Sequence, residues 1–121
     1  MVKKNLIFIP GLGYSSNIWR KLVRYIPKEK YNIHLLDIPN YASLYKGWPL
    51  NFPHFGTWLS DILLEKRVKP PYILVGHSLG GYISLEYAIK NKNKVDRLIL
   101  TSSPLRNPDS PSPFSYKFVA W

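Results

Sequence analysis

Short runs of apolar and aromatic residues punctuate this chain at Leu6–Ile9, Tyr31–Leu36, Tyr72–Val75 and Val95–Leu100. Each is too short for a stable helix and rich in β-branched or aromatic side chains, so each predicts a strand. Between them, the segments Ile18–Tyr25, Phe55–Arg67 and Tyr82–Asn91 repeat their apolar positions with helical spacing, as helices lying on a sheet do. Proline and glycine mark the seams. Strand and helix therefore alternate, and a βαβ order predicts parallel strands with flanking helices, an α/β fold.

The third apolar run carries the chemistry. Tyr72-Ile73-Leu74-Val75-Gly76-His77-Ser78-Leu79-Gly80-Gly81 is a strand entering G-x-S-x-G, and the amphipathic stretch Tyr82–Lys90 follows directly. In that setting the pattern reads as a nucleophile elbow, a sharp strand-to-helix turn that lifts the Ser78 hydroxyl clear of the sheet. A serine needs a base to take its proton, and the tetrahedral intermediate needs donors for its oxyanion. Leu79 offers one backbone N–H at the start of the next helix, where N–H groups have no partner within the helix. Leu12 offers a second, from the glycine loop Pro10-Gly11-Leu12-Gly13 after the first strand. Gly11 and Gly13 are expected to let the backbone approach a ligand closely, and Ser16 or Asn17 to cap the helix that follows.

Composition removes several alternatives. The 121 residues carry a formal charge of +10, with an isoelectric point near 9.9. The lysines are spread over helix ends and connections, and no arginine-rich helix or known binding motif concentrates them, so no nucleic-acid partner is expected. The dense tract Lys90–Lys94 ends a helix whose dipole favours cations there. With no cysteine, disulfides and thiolate chemistry are excluded. No run is long enough to span a bilayer or to form a signal-peptide core, and a cytoplasmic location is the default reading. Gly11-Leu12-Gly13 lacks the third glycine of a dinucleotide fingerprint and no P-loop is present, so no cofactor is expected, and no cluster has the spacing of metal ligands.

Taken together, Ile9–Gly13 through Trp19, Asp37-Ile38-Pro39-Asn40-Tyr41-Ala42-Ser43 and Gly76–Gly81 resemble, in order and spacing, three motifs of the α/β-hydrolase superfamily. The likeness is to its esterase-like branch of small carboxylesterases and biotin-pathway methyl esterases. Pro10 stands where that branch has histidine, and Asn40 and Ala42 where it has glycine; neither change removes a backbone donor. The resemblance implies the second strand beside the first, the third on the first strand's other side and the fourth beyond it. It covers nearly all of this chain but only the N-terminal half of the family, so 1–121 is expected to be the N-terminal part of one hydrolase domain, ending after the strand at 95–100. Residues 104–121, a proline-rich exit followed by Phe114–Trp121, would then begin a cap or lid.

The family orders its triad as Ser, then Asp or Glu, then His, whereas His34, His54 and His77 all precede Ser78. None is carried over as the base. His77 is expected to point away from Ser78, His34 to be a partly covered strand residue, and His54 to lie in the Phe52-Pro53-His54 loop. Asp37 reads as structural, Asp61 as a helix residue and Asp96 as the opening of the last strand; Asp109 is the only late candidate, and the acid stays unassigned. The implied activity is hydrolysis of a small-molecule carboxylic ester. The alternatives are an acyltransferase using the same site, or a non-catalytic or split chain acting as an interaction half. An open apolar edge at Arg97–Thr101 would invite a complementing chain or an edge-to-edge dimer.

Overall fold

The computed structural model describes residues 2–38 and 53–103, the side chains of 53–55 excepted. In chain order the elements are β1 (Lys4–Ile9), a 3-10 turn (Ser16–Trp19), α1 (Arg20–Val23), β2 (Tyr31–Leu35), α2 (Pro53–Glu65), β3 (Tyr72–His77), α3 (Leu79–Lys90) and β4 (Val95–Thr101). The sheet runs β2-β1-β3-β4, with every pairing parallel. The order is the one that the resemblance implied.

Period-two alternation explains how the two central strands hold both layers. Ile7 and Ile9 of β1 and Tyr72 and Leu74 of β3 pack with Leu59 and Leu63 of α2 and Ile83 and Tyr87 of α3. Leu6 and Phe8, with Ile73 and Val75, face the other way against Trp19 and Val23. Phe8, Ile7, Ile9 and Leu74 are essentially sealed, each worth about 1.5–3 kcal/mol of burial. Val68 N–H reaches the Leu63 carbonyl and Arg67 N–H that of Leu64, with Arg67 at φ 55. That pair of hydrogen bonds closes α2, with Arg67 in the position where glycine is usual.

Several expected boundaries move, each for a local reason. The helix predicted over 18–25 is a 3-10 turn and one short α turn. Its cap is Ser15, whose Oγ accepts from Asn17 N–H at 3.3 Å, not Ser16 or Asn17. Ser16 is taken by Asp37 instead, whose carboxylate accepts from its N–H at 2.6 Å and from its Oγ at 3.3 Å. His54 lies in the first turn of α2, not in a loop, and Pro53 is suited to that helix start because its missing N–H would have no partner there. α3 begins at Leu79, ahead of the predicted Tyr82, so that Gly80 and Gly81 lie within the helix despite their low propensity. Loop residues 39–43, Asp109 and the segment 104–121 lie outside the described residues.

Candidate active site

β1 and β3 are neighbours at the centre of the sheet, with Ile9 opposite Gly76. The chain leaves both on the same side, which is where open parallel sheets bind ligands. At the end of β3, Ser78 has φ 50 and ψ −118, a region costly for any residue with a Cβ, on the order of 1–3 kcal/mol. Three backbone bonds hold it there. Ser78 N–H donates to the Thr101 carbonyl at 3.0 Å, and the Ser78 carbonyl accepts from Gly81 N–H at 3.0 Å and Tyr82 N–H at 3.2 Å.

The glycines around it allow backbones to cross. A Cβ on Gly76 would stand 2.5 Å from the Gly80 oxygen and the Gly81 nitrogen; one on Gly80 would overlap the carbonyls of Ile9 and Pro10; one on Gly81 would run into the Ser103 side chain. α3 is thereby seated against β1, β3 and the end of β4 at once. The loop after β1 comes up from the other side, since a Cβ on Gly11 would lie 3.2 Å from both Ser78 Cβ and His77 Cδ2. Gly13 has a different task from the one expected. It adopts φ 77 with open space around it, as the turn closed by Tyr14 N–H to the Gly11 carbonyl at 3.2 Å requires. Leu12 sits at the tip of that turn, 56% exposed. Among the described residues, neither the Leu12 nor the Leu79 N–H has an acceptor.

The histidines go elsewhere. His77 is half-buried, with Nδ1 3.3 Å from Thr101 Oγ1 and its ring meeting Tyr14 edge-on at 5.6 Å and Trp19 at 6.5 Å. It forms a wall under the Gly11 loop. His34 is one strand further out, opposite Ile7, with Nε2 3.1 Å from Asn5 Oδ1. Burial, and secondarily the Lys66 ammonium, lower its pKa from the ordinary 6.5. Asp96 pairs with Lys4 at 3.4 Å and Arg97 at 4.0 Å, and Asp61 is exposed on α2. No described histidine or carboxylate side chain hydrogen-bonds Ser78, and no described group of three His, Asp or Glu is placed to hold a metal.

Sequence reasoning missed Ser103. It is fully buried, and its Oγ–H points at the Thr101 carbonyl at 3.0 Å, with the Gly76 carbonyl at 3.5 Å. Two adjacent serines directly after an apolar strand, Ser102 and Ser103, were the available signal.

A strained serine between a central parallel strand and its helix, beside a glycine loop from the neighbouring strand, defines the class: a parallel α/β sheet with a tight, glycine-flanked strand-to-helix turn at its centre. The chain belongs to the alpha/beta hydrolase fold family, whose model matches residues 4–121. It is 35% identical over 101 residues to a pimeloyl-[acyl-carrier protein] methyl ester esterase of Wigglesworthia glossinidia brevipalpis, covering 82% of this chain and 36% of that protein. It is 34% identical over 86 residues to a Haemophilus influenzae protein provisionally named 2-succinyl-6-hydroxy-2,4-cyclohexadiene-1-carboxylate synthase, covering 71% and 34%. Among solved structures, a marine microorganism esterase superposes with a TM-score of 0.74 at 19% identity, over 93% of this chain and 42% of that one. The chain thus spans about a third of the length of these curated relatives.

Proposed function

We propose that this chain supplies the nucleophile and the oxyanion-binding backbone of a serine carboxylic-ester hydrolase. Ser78 Oγ attacks the acyl carbonyl carbon while a base takes its proton. The carbonyl electrons move to oxygen, and the Leu12 and Leu79 N–H groups bind that oxyanion. Collapse expels the alcohol, which takes the proton, and water then releases the acid from the acyl-serine. The single observation that carries the reading is the Ser78 backbone, φ 50 and ψ −118, pressed against Gly11. The methyl ester esterase named for the Wigglesworthia relative supports an acyl ester as substrate.

The base is assigned to none of the three histidines of this sequence. His34 and His77 have other partners, and His54 precedes Ser78, against the family order. In this reading 1–121 is the N-terminal part of one hydrolase domain and 104–121 opens its cap. A second use of the same residues is acyl transfer, in which an acceptor other than water takes the acyl group from Ser78; the Haemophilus relative is named a synthase and not an esterase.

A fluorophosphonate probe tests the assignment. The chain alone should label slowly, and Ser78→Ala should abolish labelling; fast stoichiometric labelling would show that a base lies within these residues. In a polypeptide that completes the domain, hydrolysis of short p-nitrophenyl esters should depend on Ser78, and Leu12→Pro, which deletes one donor, should cost on the order of a hundredfold in rate. Unchanged turnover in a folded Leu12→Pro protein would remove Leu12 from the oxyanion site. Labelling without ester turnover would favour the second reading.

A further inference from the structure

At the opposite end of the sheet from Ser78, the C-terminal halves of α2 and α3 and the turn before β4 enclose a cavity of about 490 Å³. That volume is within the range of small-molecule sites. Arg67, Lys69 and Lys94 line it, and among the described residues no carboxylate does. All three cations are exposed, and none has an ion-pair partner among the described residues. The floor is apolar and aromatic. Leu64, 78% exposed, stands on its rim, and Tyr72 meets Tyr87 edge-on at 6.2 Å beneath.

Tyr87 is the second observation. Its side chain is 2% exposed and lines the cavity. Tyr72 Oη–H is satisfied by the Val68 carbonyl at 2.9 Å, whereas the Tyr87 hydroxyl has no hydrogen-bond partner among the described residues. The ring is buried while the hydroxyl keeps access to solvent, for the fully buried side-chain donor left without a partner among the described residues is Trp19 Nε1; the Tyr87 Oη–H is thus open to donate to a molecule that enters the cavity. Burial first, and the neighbouring Tyr72 second, raise the Tyr87 pKa, so the phenol keeps its proton and remains a donor.

We propose that this cavity binds a small amphiphilic organic anion, a chain of roughly six to ten carbons bearing a phosphate or carboxylate head. The head lies among Arg67, Lys69 and Lys94 and accepts from Tyr87 Oη–H; the tail covers Leu64 and the Tyr72 ring. The C-terminal turn of α2 sets where the Arg67 side chain starts, because Arg67 is held at φ 55. This site is independent of Ser78 and of the reaction proposed for it.

Octyl phosphate is the probe, with octanol and inorganic phosphate as its separate halves. Calorimetry should give octyl phosphate a Kd on the order of 0.1–1 mM, with each half at least about tenfold weaker. Amide shifts in NMR spectra should map to residues 64–72, 87 and 94. Tyr87→Phe keeps the ring and removes only the hydroxyl, and should weaken binding about tenfold. Arg67→Asn, which tolerates the left-handed backbone, combined with Lys94→Gln should weaken it further and flatten its salt dependence. The surface pair gives the same readout should Tyr87→Phe fail to fold. Octanoate binding at the same amides would also support the site. Octanol binding as tightly as octyl phosphate, affinity unmoved by these variants, shifts confined to residues 11–14 and 76–81, or no binding up to about 5 mM would each overturn the proposal.

Discussion

Replacing Gly76 by alanine tests whether the packing around Ser78 is as tight as the structure has it. The added Cβ would stand 2.5 Å from the Gly80 oxygen and the Gly81 nitrogen, where real Cβ atoms keep beyond 3.0 Å. Both are backbone atoms of the first turn of α3, so no side chain can swing aside. The helix start must retreat by roughly 0.5–1 Å, and overpacking of this kind costs about 3 kcal/mol at the upper end of its usual range. Alanine regains about 0.4–1 kcal/mol by stiffening the unfolded chain. The net is roughly 2 kcal/mol of destabilisation, or about 6–10 °C in Tm for a domain of this size. Gly13→Ala is the control: nothing lies within 4 Å and only its φ of 77 opposes the change, at about 1 kcal/mol. Thermal melting followed by circular dichroism ranks the two, and phosphonate labelling should slow in Gly76→Ala as Ser78 shifts relative to Gly11. A Gly76→Ala protein that melts with the parent, or a Gly13→Ala protein that loses more, would refute the crossing of α3 over β3 as the constraint.

Three further outcomes are expected. Asp37→Ala removes the acceptor of Ser16 N–H and Oγ–H and should cost about 1–2 kcal/mol, read from urea midpoints; a change within error would mean that water replaces the carboxylate. His34 has its pKa lowered from 6.5, so between its folded-state pKa and 6.5 the unfolded chain binds more protons than the native one. Its stabilising contribution is therefore whole above that value and lost as pH falls below it; the Tm should drop between about pH 7.5 and 5.5, and His34→Gln should flatten the slope, whereas an unaltered slope would assign the loss to other groups. β4 pairs only with β3 among the described residues, and Ile99 is 43% exposed on it. Ile99→Lys should lower self-association in light scattering with little change in Tm, since a charge on an edge strand opposes pairing; association unchanged by the lysine would place the contact elsewhere.

The strands were legible because their signal is simple. Leu6–Ile9 and Tyr72–Val75 are apolar on both faces, which only a covered parallel sheet accommodates. Boundaries were less legible, because they are set by partners distant in sequence. β3 runs on to His77 because Thr101 lies opposite it, and the 3-10 turn starts at Ser16 because Asp37 holds that residue. Propensity argued against Gly80 and Gly81 within a helix, and tertiary contact overrode it. The Ser78 turn itself was readable from its glycines and its strand. The cavity at Tyr87 was not, since Arg67, Lys69, Tyr87 and Lys94 are spaced without a pattern and meet only when the ends of α2 and α3 converge.

What keeps the strained serine in place is therefore mostly not serine chemistry. The bonds to Ser78 run through its own N–H and carbonyl, so any side chain at that position would make them equally well. The requirement falls on the surroundings: three glycines without which α3 cannot approach, and Ser103, whose buried hydroxyl lies against the Thr101 and Gly76 carbonyls. Thr101 bears on the turn twice over. Its carbonyl takes the Ser78 N–H, and its hydroxyl meets His77 Nδ1, which engages that nitrogen and fixes the ring beneath Gly11. β4 thus orders the turn although it contributes no residue to the proposed chemistry. Strain of a few kcal/mol at Ser78 persists because the end of β3 is over-determined from β1, β4 and α3 together, and loosening any one of these contacts should relax the Ser78 backbone before it unfolds the sheet.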